Sequence, residues 1–230
     1  LDDKIIGSTA IILVGLAYDD TYYIKFGVDL LKKLLNFSLD ATNFPKSRNL
    51  RQLIFYLKYL IVIRELLKES QTKIPDFLDE AIFYLGKSYN LFFTNKKNGI
   101  LFNGNFDESN VEFDNYLNFY KYKFKDDSNE AGGYAVFKNK KFFFMIDVGK
   151  TPDKNFSKDY QAGLFSFEFD YLGEKVITNS GYFQNHKHQL NIISKSTATH
   201  STLILNNSSS VRFQRDKYGH MLVNKSFKVF

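Results

Sequence analysis

The chain has 230 residues, 44% hydrophobic and 24% charged, with 25 Phe, 15 Tyr, only 3 Pro, and neither Cys nor Trp. That apolar content excludes a disordered polymer and is enough for a sizeable core in about one or two domains. The lack of cysteine removes disulfides, thiolate metal sites and cysteine nucleophiles.

The formal net charge is +6 and the sequence pI is 9.1. A basic chain invites a nucleic-acid reading, because clustered Lys and Arg displace phosphate counterions. Here the bases are mixed with acids, as in Lys121, Lys123 and Lys125 before Asp126 and Asp127, and the arginines are only Arg48, Arg51, Arg64, Arg212 and Arg215. The charge reads as solvated surface, and nucleic acid is not an expected partner. The most apolar early run, residues 11–17, falls far short of the roughly 20 residues that span a bilayer, so no membrane span is expected. The chain starts at Leu1 without a leader pattern and ends within a strand-like alternation at Phe227–Phe230, which reads as a piece of a longer protein.

In chain order, apolar residues first recur at helical spacing. Ile5, Thr9, Ile12, Leu13 and Leu16 predict one helix, and Tyr23, Phe26, Leu30, Leu34 and Phe37 a second. A third places Leu50, Leu53, Ile54, Leu57, Leu60 and Ile61 on one face, with Arg51, Lys58 and Glu65 opposite. A fourth begins near Pro75 and carries Leu78, Ala81, Ile82, Leu85 and Tyr89. Asn95–Gly99 then reads as a turn that ends the helical region.

Beyond it the period becomes two. Phe165, Phe167 and Phe169 alternate with Ser166, Glu168 and Asp170, which predicts a strand with one aromatic and one polar face, the polar face either solvated, as is the default, or lining a cleft. Residues 134–137, 142–146, 176–178, 202–205 and 211–213 predict further short strands, separated by turns such as Leu172-Gly173-Glu174. The expected fold class is α+β: helical hairpins in residues 1–105, followed by an antiparallel β-sandwich in residues 106–230, with the boundary between residues 95 and 130.

Four histidines bear on chemistry. His186 and His188 sit two apart, a spacing that on a strand would aim both at one metal with His200 as a third ligand, but their segment is polar and loop-like and reads as exposed. His200 leads into an apolar run, where it can be a ligand, a base or a hydrogen-bonded structural residue. His220 lies in a Tyr-Gly-His turn and reads as exposed. Asp147 is as suited to capping a turn as to chemistry. No Gly-rich phosphate loop or Gly-x-Ser-x-Gly elbow is present.

Helical hairpins followed by Gln161–Glu168, Val176–Gly181 and Ser196–Thr202 resemble the heparinase II/III family of polysaccharide lyases. Ser47-Arg48-Asn49, Leu101–Gly104, and Gly133-Tyr134 with Phe144–Gly149 are similar to a less-studied bacterial branch of it. The likeness covers nearly the whole chain, in the family's order. It implies an incomplete α/α toroid joined to a β-sandwich, both truncated here, and β-elimination at a uronic acid. In that chemistry a carboxamide or histidine neutralises the substrate carboxylate, a base removes the C5 proton, and a tyrosine or histidine protonates the leaving oxygen.

The same resemblance places the family's early Asn-His pair at Asp3 and Lys4, its helical tyrosine at Gln52, a sandwich histidine at Gln161 and a metal-binding aspartate at Asn179, with His200 retained. It implies catalytic positions at His200, Gln161 and Gln52, and substrate-binding positions at Arg48, Asn49, Lys4, Asn179 and Asn103. A zinc site built from Gln161, Asn179 and His200 would hold two neutral amides, so neither metal nor cofactor is expected. The implied partner is an acidic polysaccharide, which a positive charge would attract, and the implied location is periplasmic or exported. Two readings stand: a divergent lyase, or a catalytically degenerate carbohydrate-binding or surface-polysaccharide assembly protein of the same fold.

Overall fold

Helical periodicity over the first ninety residues becomes four helices in the computed structural model, which describes residues 1–93, 98–106, 110–125 and 128–226. These are α1 (Asp2–Ala17), α2 (Thr21–Ser38), α3 (Leu50–Glu69) and α4 (Asp76–Phe93). Asp2 and Asp3 in the first turn of α1 complement its dipole. Asp20 caps α2 by accepting from the Tyr22 and Tyr23 amides.

Two glycines set how α1 and α2 meet. A Cβ on Gly27 would stand 2.6 Å from Ile12 Cγ1, and one on Gly15 would stand 2.7 Å from the Ile24 amide nitrogen, so only glycine permits this approach. That contact rotates α2 from the expected face. Gly27, Leu31, Leu34, Leu35 and Ser38 are buried, while Tyr23, Phe26 and Phe37 are exposed. Helix α3 buries Leu50, Leu53, Tyr56, Leu57, Leu60, Ile61 and Ile63 completely. At about 1.5–3 kcal/mol for each large apolar side chain removed from water, α3 is a major apolar contributor.

Two compact units divide the chain: Leu1–Pro45 with Gln52–Tyr89, and Lys46–Arg51 with Asn90–Phe230. The first is helical. The second contains α5 (Val111–Phe119), α6 (Gln189–Lys195) and seven strands: β1 (Glu130–Ala131), β2 (Tyr134–Lys138), β3 (Phe142–Asp147), β4 (Phe167–Tyr171), β5 (Glu174–Ile177), β6 (Val211–Arg215) and β7 (Met221–Ser226). Strands β1 to β5 form an antiparallel sheet in chain order, and β6 and β7 form a separate antiparallel ribbon. The β4–β5 turn falls at Leu172 and Gly173, both at positive φ, as a tight hairpin requires. The chain is therefore α+β with antiparallel sheets.

Three sequence expectations change here. Residues 202–205 form no regular strand, and Leu205 makes only an isolated bridge to Ser208 while Leu203 stands in solvent. Phe165 lies outside β4, in a turn closed by the Ser166 amide donating to Gly163 O, with a φ of 57°. The faces of β4 are inverted: Ser166, Glu168 and Asp170 are buried and the phenylalanines lie nearer the surface. The buried face is polar because polar donors converge on it. Glu168 Oε1 accepts from Thr178 Oγ1 at 2.8 Å and from the Leu101 and Asn179 amides at 3.3 Å. The turn expected at 95–97 and the alternation at 227–230 lie outside the described residues. Helices α5 and α6 were not anticipated.

Candidate functional site

Arg48 reaches the sheet from the short segment before α3. Its backbone adopts a left-handed φ of 57°, and its guanidinium enters the gap between two glycines. A Cβ on Gly149 would stand 2.5 Å from Arg48 Cζ, and one on Gly133 would stand 3.1 Å from Nη2. Nε donates to Gly132 O at 2.8 Å, Nη2 to Gly133 O at 3.0 Å and to Asp147 Oδ1 at 2.6 Å, and Nη1 to Lys150 O at 3.3 Å and Asp147 Oδ2 at 3.4 Å. These five contacts match the five N–H groups of the fork. Burial disfavours the charge, but Asp147 together with Tyr134 and Tyr160 outweighs it and holds the guanidinium firmly protonated.

Asp147 is the hub of this network. Its Oδ1 also accepts from the Gly149 amide at 3.1 Å, and its Oδ2 from Asn103 Nδ2 at 3.2 Å. Asn103 Nδ2 also contacts the Tyr134 hydroxyl, which donates to Arg48 O at 2.7 Å. Burial pushes the Tyr134 phenol well above its ordinary range, so it stays a neutral donor. Asn103 Oδ1 accepts from the Gln161 amide at 3.3 Å. The Gln161 side chain is fully buried: Oε1 accepts from the Gly104 amide at 3.2 Å, and Nε2 donates to Gly181 O at 3.0 Å and Ser194 O at 2.6 Å.

His200 follows a single 3-10 turn, Thr197–Thr199, beyond α6. Its Nδ1 is 2.8 Å from Ser196 O, an atom that only accepts, so Nδ1 carries the proton and Nε2 presents a lone pair. Burial pushes the imidazole pKa below its ordinary value, against the opposing pull of Ser196 O and Asp147, so the ring is neutral near pH 7. Nε2 is buried without a hydrogen-bond partner, as are Ser166 Oγ and Asn179 Nδ2. A Cβ on Gly163 would stand 2.7 Å from Ser166 Oγ and 2.8 Å from His200 Cδ2, so the hydroxyl and the imidazole flank the same glycine. Asn179 Oδ1 accepts from the Ser201 amide at 3.0 Å and fixes the residue after His200. Unmatched buried polar atoms are uncommon in folded proteins, and Ser166 Oγ and His200 Nε2 flanking one glycine mark a place suited to meet a polar group.

Of the residues singled out from sequence, Arg48, Asn103 and Gln161 join one hydrogen-bonded network, and Asn179 adjoins His200. Asn49 caps α3 through the Arg51 amide at 2.9 Å, and its Nδ2 donates to Asp159 Oδ2 at 3.2 Å. Lys4 and Gln52 belong to the helical unit, where Lys4 is exposed on α1 and Gln52 Nε2 donates to Asp2 Oδ1 at 2.6 Å. Sequence reasoning did not foresee Ser166 beside His200 or Asp159 between Asn49 and the Tyr182 hydroxyl. His188 caps α6 through Nδ1 and the Leu190 amide, and does not pair with His186. Among the described residues no group of three or more His, Asp or Glu is placed to hold a metal, and no helix is long and apolar enough to cross a membrane.

The fold is shared with solved polysaccharide lyases. Heparan sulfate lyase HepC from Pedobacter heparinus superposes with a TM-score of 0.74 at 13% identity, over 90% of this chain and 37% of that one. A heparinase III structure gives 0.70 at 15% identity, over 89% and 39%, and the heparinase III BT4657 gene product gives 0.74 at 15%, over 89% and 37%. The chain thus spans less than two fifths of the length of these enzymes. No curated protein matches it in sequence. Residues 124–224 match the family described as heparinase II/III-like, C-terminal.

Proposed function

We propose that the chain is the His200-bearing part of a lyase-like protein that acts by β-elimination on an acidic, uronate-containing polysaccharide. The observation that carries this reading is the neutral His200 imidazole, with Nδ1–H held by Ser196 O and a buried, unmatched Nε2 beside Ser166. Nε2 acts as the proton acceptor or donor. The Ser166 hydroxyl and Asn179 Nδ2 donate to charge that develops on the substrate carboxylate when C5–H is lost. Arg48, Asn103 and Gln161 act as the framework that holds this segment in place. The heparinase-like match over 124–224 and the shared lyase fold support the toroid-plus-sandwich architecture and an exported location as parts of this proposal.

A second reading, a non-catalytic carbohydrate-binding protein of the same fold, is favoured by Gln161. Its carboxamide cannot transfer a proton, and all its hydrogen bonds go to backbone groups. The test treats the full-length protein with heparan-like, alginate-like and bacterial capsular polysaccharides and follows the ultraviolet absorbance of unsaturated uronates. A signal that falls about 100-fold or more in His200→Ala supports the lyase. Measurable binding without absorbance selects the second reading.

A further inference from the structure

His186 and His220 come from separate segments, yet their rings lie 4.5 Å apart. His186 is in the loop that precedes α6, and His220 closes the β6–β7 hairpin. Gly219, at a φ of 88°, keeps the hairpin tip bare: a Cβ there would stand 3.8 Å from both His186 Cδ2 and Arg215 Nη1. Arg215 Nη1 donates to Gly219 O at 3.0 Å, which fixes the guanidinium over the tip. Burial and then the charge of Lys158, from the segment before β4, disfavour protonation of His220.

Two acids border this cluster, each held by other donors. Asp216 Oδ1 accepts from the Tyr218 and His220 amides at 2.9 and 2.8 Å, which turns its carboxylate back into its own hairpin. Asp159 is held by Asn49 and Tyr182. Among the described residues Lys158, Arg215, His186 and His220 form no ion pair, and His220 Nδ1 is buried without a hydrogen-bond partner. Two cations and two imidazoles on three segments, bordered by two acids whose oxygens already accept other donors, form a surface complementary to an anion. The cations alone would repel a bound metal, which argues against a two-histidine metal site.

We propose that Lys158, His186, Arg215 and His220 form a second anion site, separate from His200, that takes a carboxylate or sulfate group of an acidic oligosaccharide and tightens as the pH falls. The sugar part of this assignment rests on the functional reading above, whereas anion binding itself does not. The pH dependence follows from charge: protonating an imidazole adds positive charge beside Lys158 and Arg215, which a bound anion balances. Asp216, whose Oδ1 accepts the His220 amide, and Asp159 favour protonation of His220.

The test records imidazole NMR titrations of the full chain in inorganic sulfate, in a sulfated oligosaccharide and in an unsulfated uronate oligosaccharide. Expected are chemical-shift changes at His186 and His220, binding about 5-fold or more tighter at pH 5.5 than at pH 7.5, and at least about 3-fold weakening in each of Arg215→Gln and Lys158→Gln. His200→Ala should leave these values unchanged. Shifts with sulfate but with neither oligosaccharide would retain the anion site and overturn its assignment to a sugar. If none of the three probes moves the His220 titration, or if Arg215→Gln and Lys158→Gln bind as tightly as the parent, the proposal falls. Neither result bears on lyase absorbance, so the two readings fail separately.

Discussion

Arg48 and Asp147 stand 99 positions apart in sequence and meet in a buried ion pair with Nη2 2.6 Å from Oδ1. Both side chains are almost fully enclosed, and every N–H of the guanidinium has an acceptor. A buried pair of this kind costs desolvation to form and is much worse when half is removed. Asp147→Ala should lower unfolding free energy by about 3–5 kcal/mol in urea denaturation. Arg48→Lys keeps the charge but loses the planar fork that bonds Gly132, Gly133 and Asp147 together, so it should rescue only part of the stability lost in Arg48→Ala. Equal stability of parent and Arg48→Lys would contradict the geometry.

Gly163 is flanked by both Ser166 Oγ and the His200 ring. Gly163→Ala places a methyl under 3 Å from each, in a region with no free space. The expected cost is about 1–3 kcal/mol from overpacking. The His200 resonance should also shift, and polysaccharide cleavage or binding at this site should be lost. A variant with parental activity and an unmoved His200 signal would remove Gly163 from the site.

Burial holds the His200 pKa below its unfolded value. Above about pH 6.5 the imidazole is neutral in both states and no penalty exists. As pH falls below that value the unfolded chain binds the proton first, so stability declines until the folded-state pKa is reached. Urea midpoints measured from pH 7.5 to 5 should therefore fall more steeply in the parent than in His200→Gln. The slopes would coincide if His200 were not buried as described.

Lys195 is 1% exposed, with Nζ donating to Met221 O at 2.9 Å and to Lys158 O, and with the rings of Phe213 and Tyr182 nearby. Burial, aided by the charge of Lys158 and opposed by Asp159, brings its pKa down to about 8. The folded state thus releases the proton before the unfolded state does, and stability should rise as pH increases from about 8 toward 10. Lys195→Met should flatten that rise. At pH 7 it should cost about 1–3 kcal/mol, because two buried carbonyls lose their donor. Both are read from denaturation curves of the two proteins across that range.

Much of the secondary structure was legible from short-range pattern. The helical period up to residue 93, the runs at 134–137 and 142–146 and the turn at Leu172-Gly173 all follow from spacing and turn chemistry. Helix α6 was not, because it is only seven residues long and depends on His188 as its cap. The site was legible only in outline. His200 stood out by rarity and Asp147 by its place at the end of a strand, but neither signal identifies a partner.

Composition and periodicity by themselves determined that this is a cysteine-free chain with helices first and antiparallel strands after, because local spacing decides which segments can bury an apolar face. Only the tertiary structure decided which way each face points. Gly27 against Ile12 turned α2, and the donors around Glu168 drew the polar side of β4 inward. The same step changed the meaning of the basic charge that sequence could only call surface. Arg48 became an internal clamp, Lys195 a buried donor, and Lys158 and Arg215 neighbours of His220. A side chain's role depends on which distant atoms share its surroundings, and those are set by packing between segments.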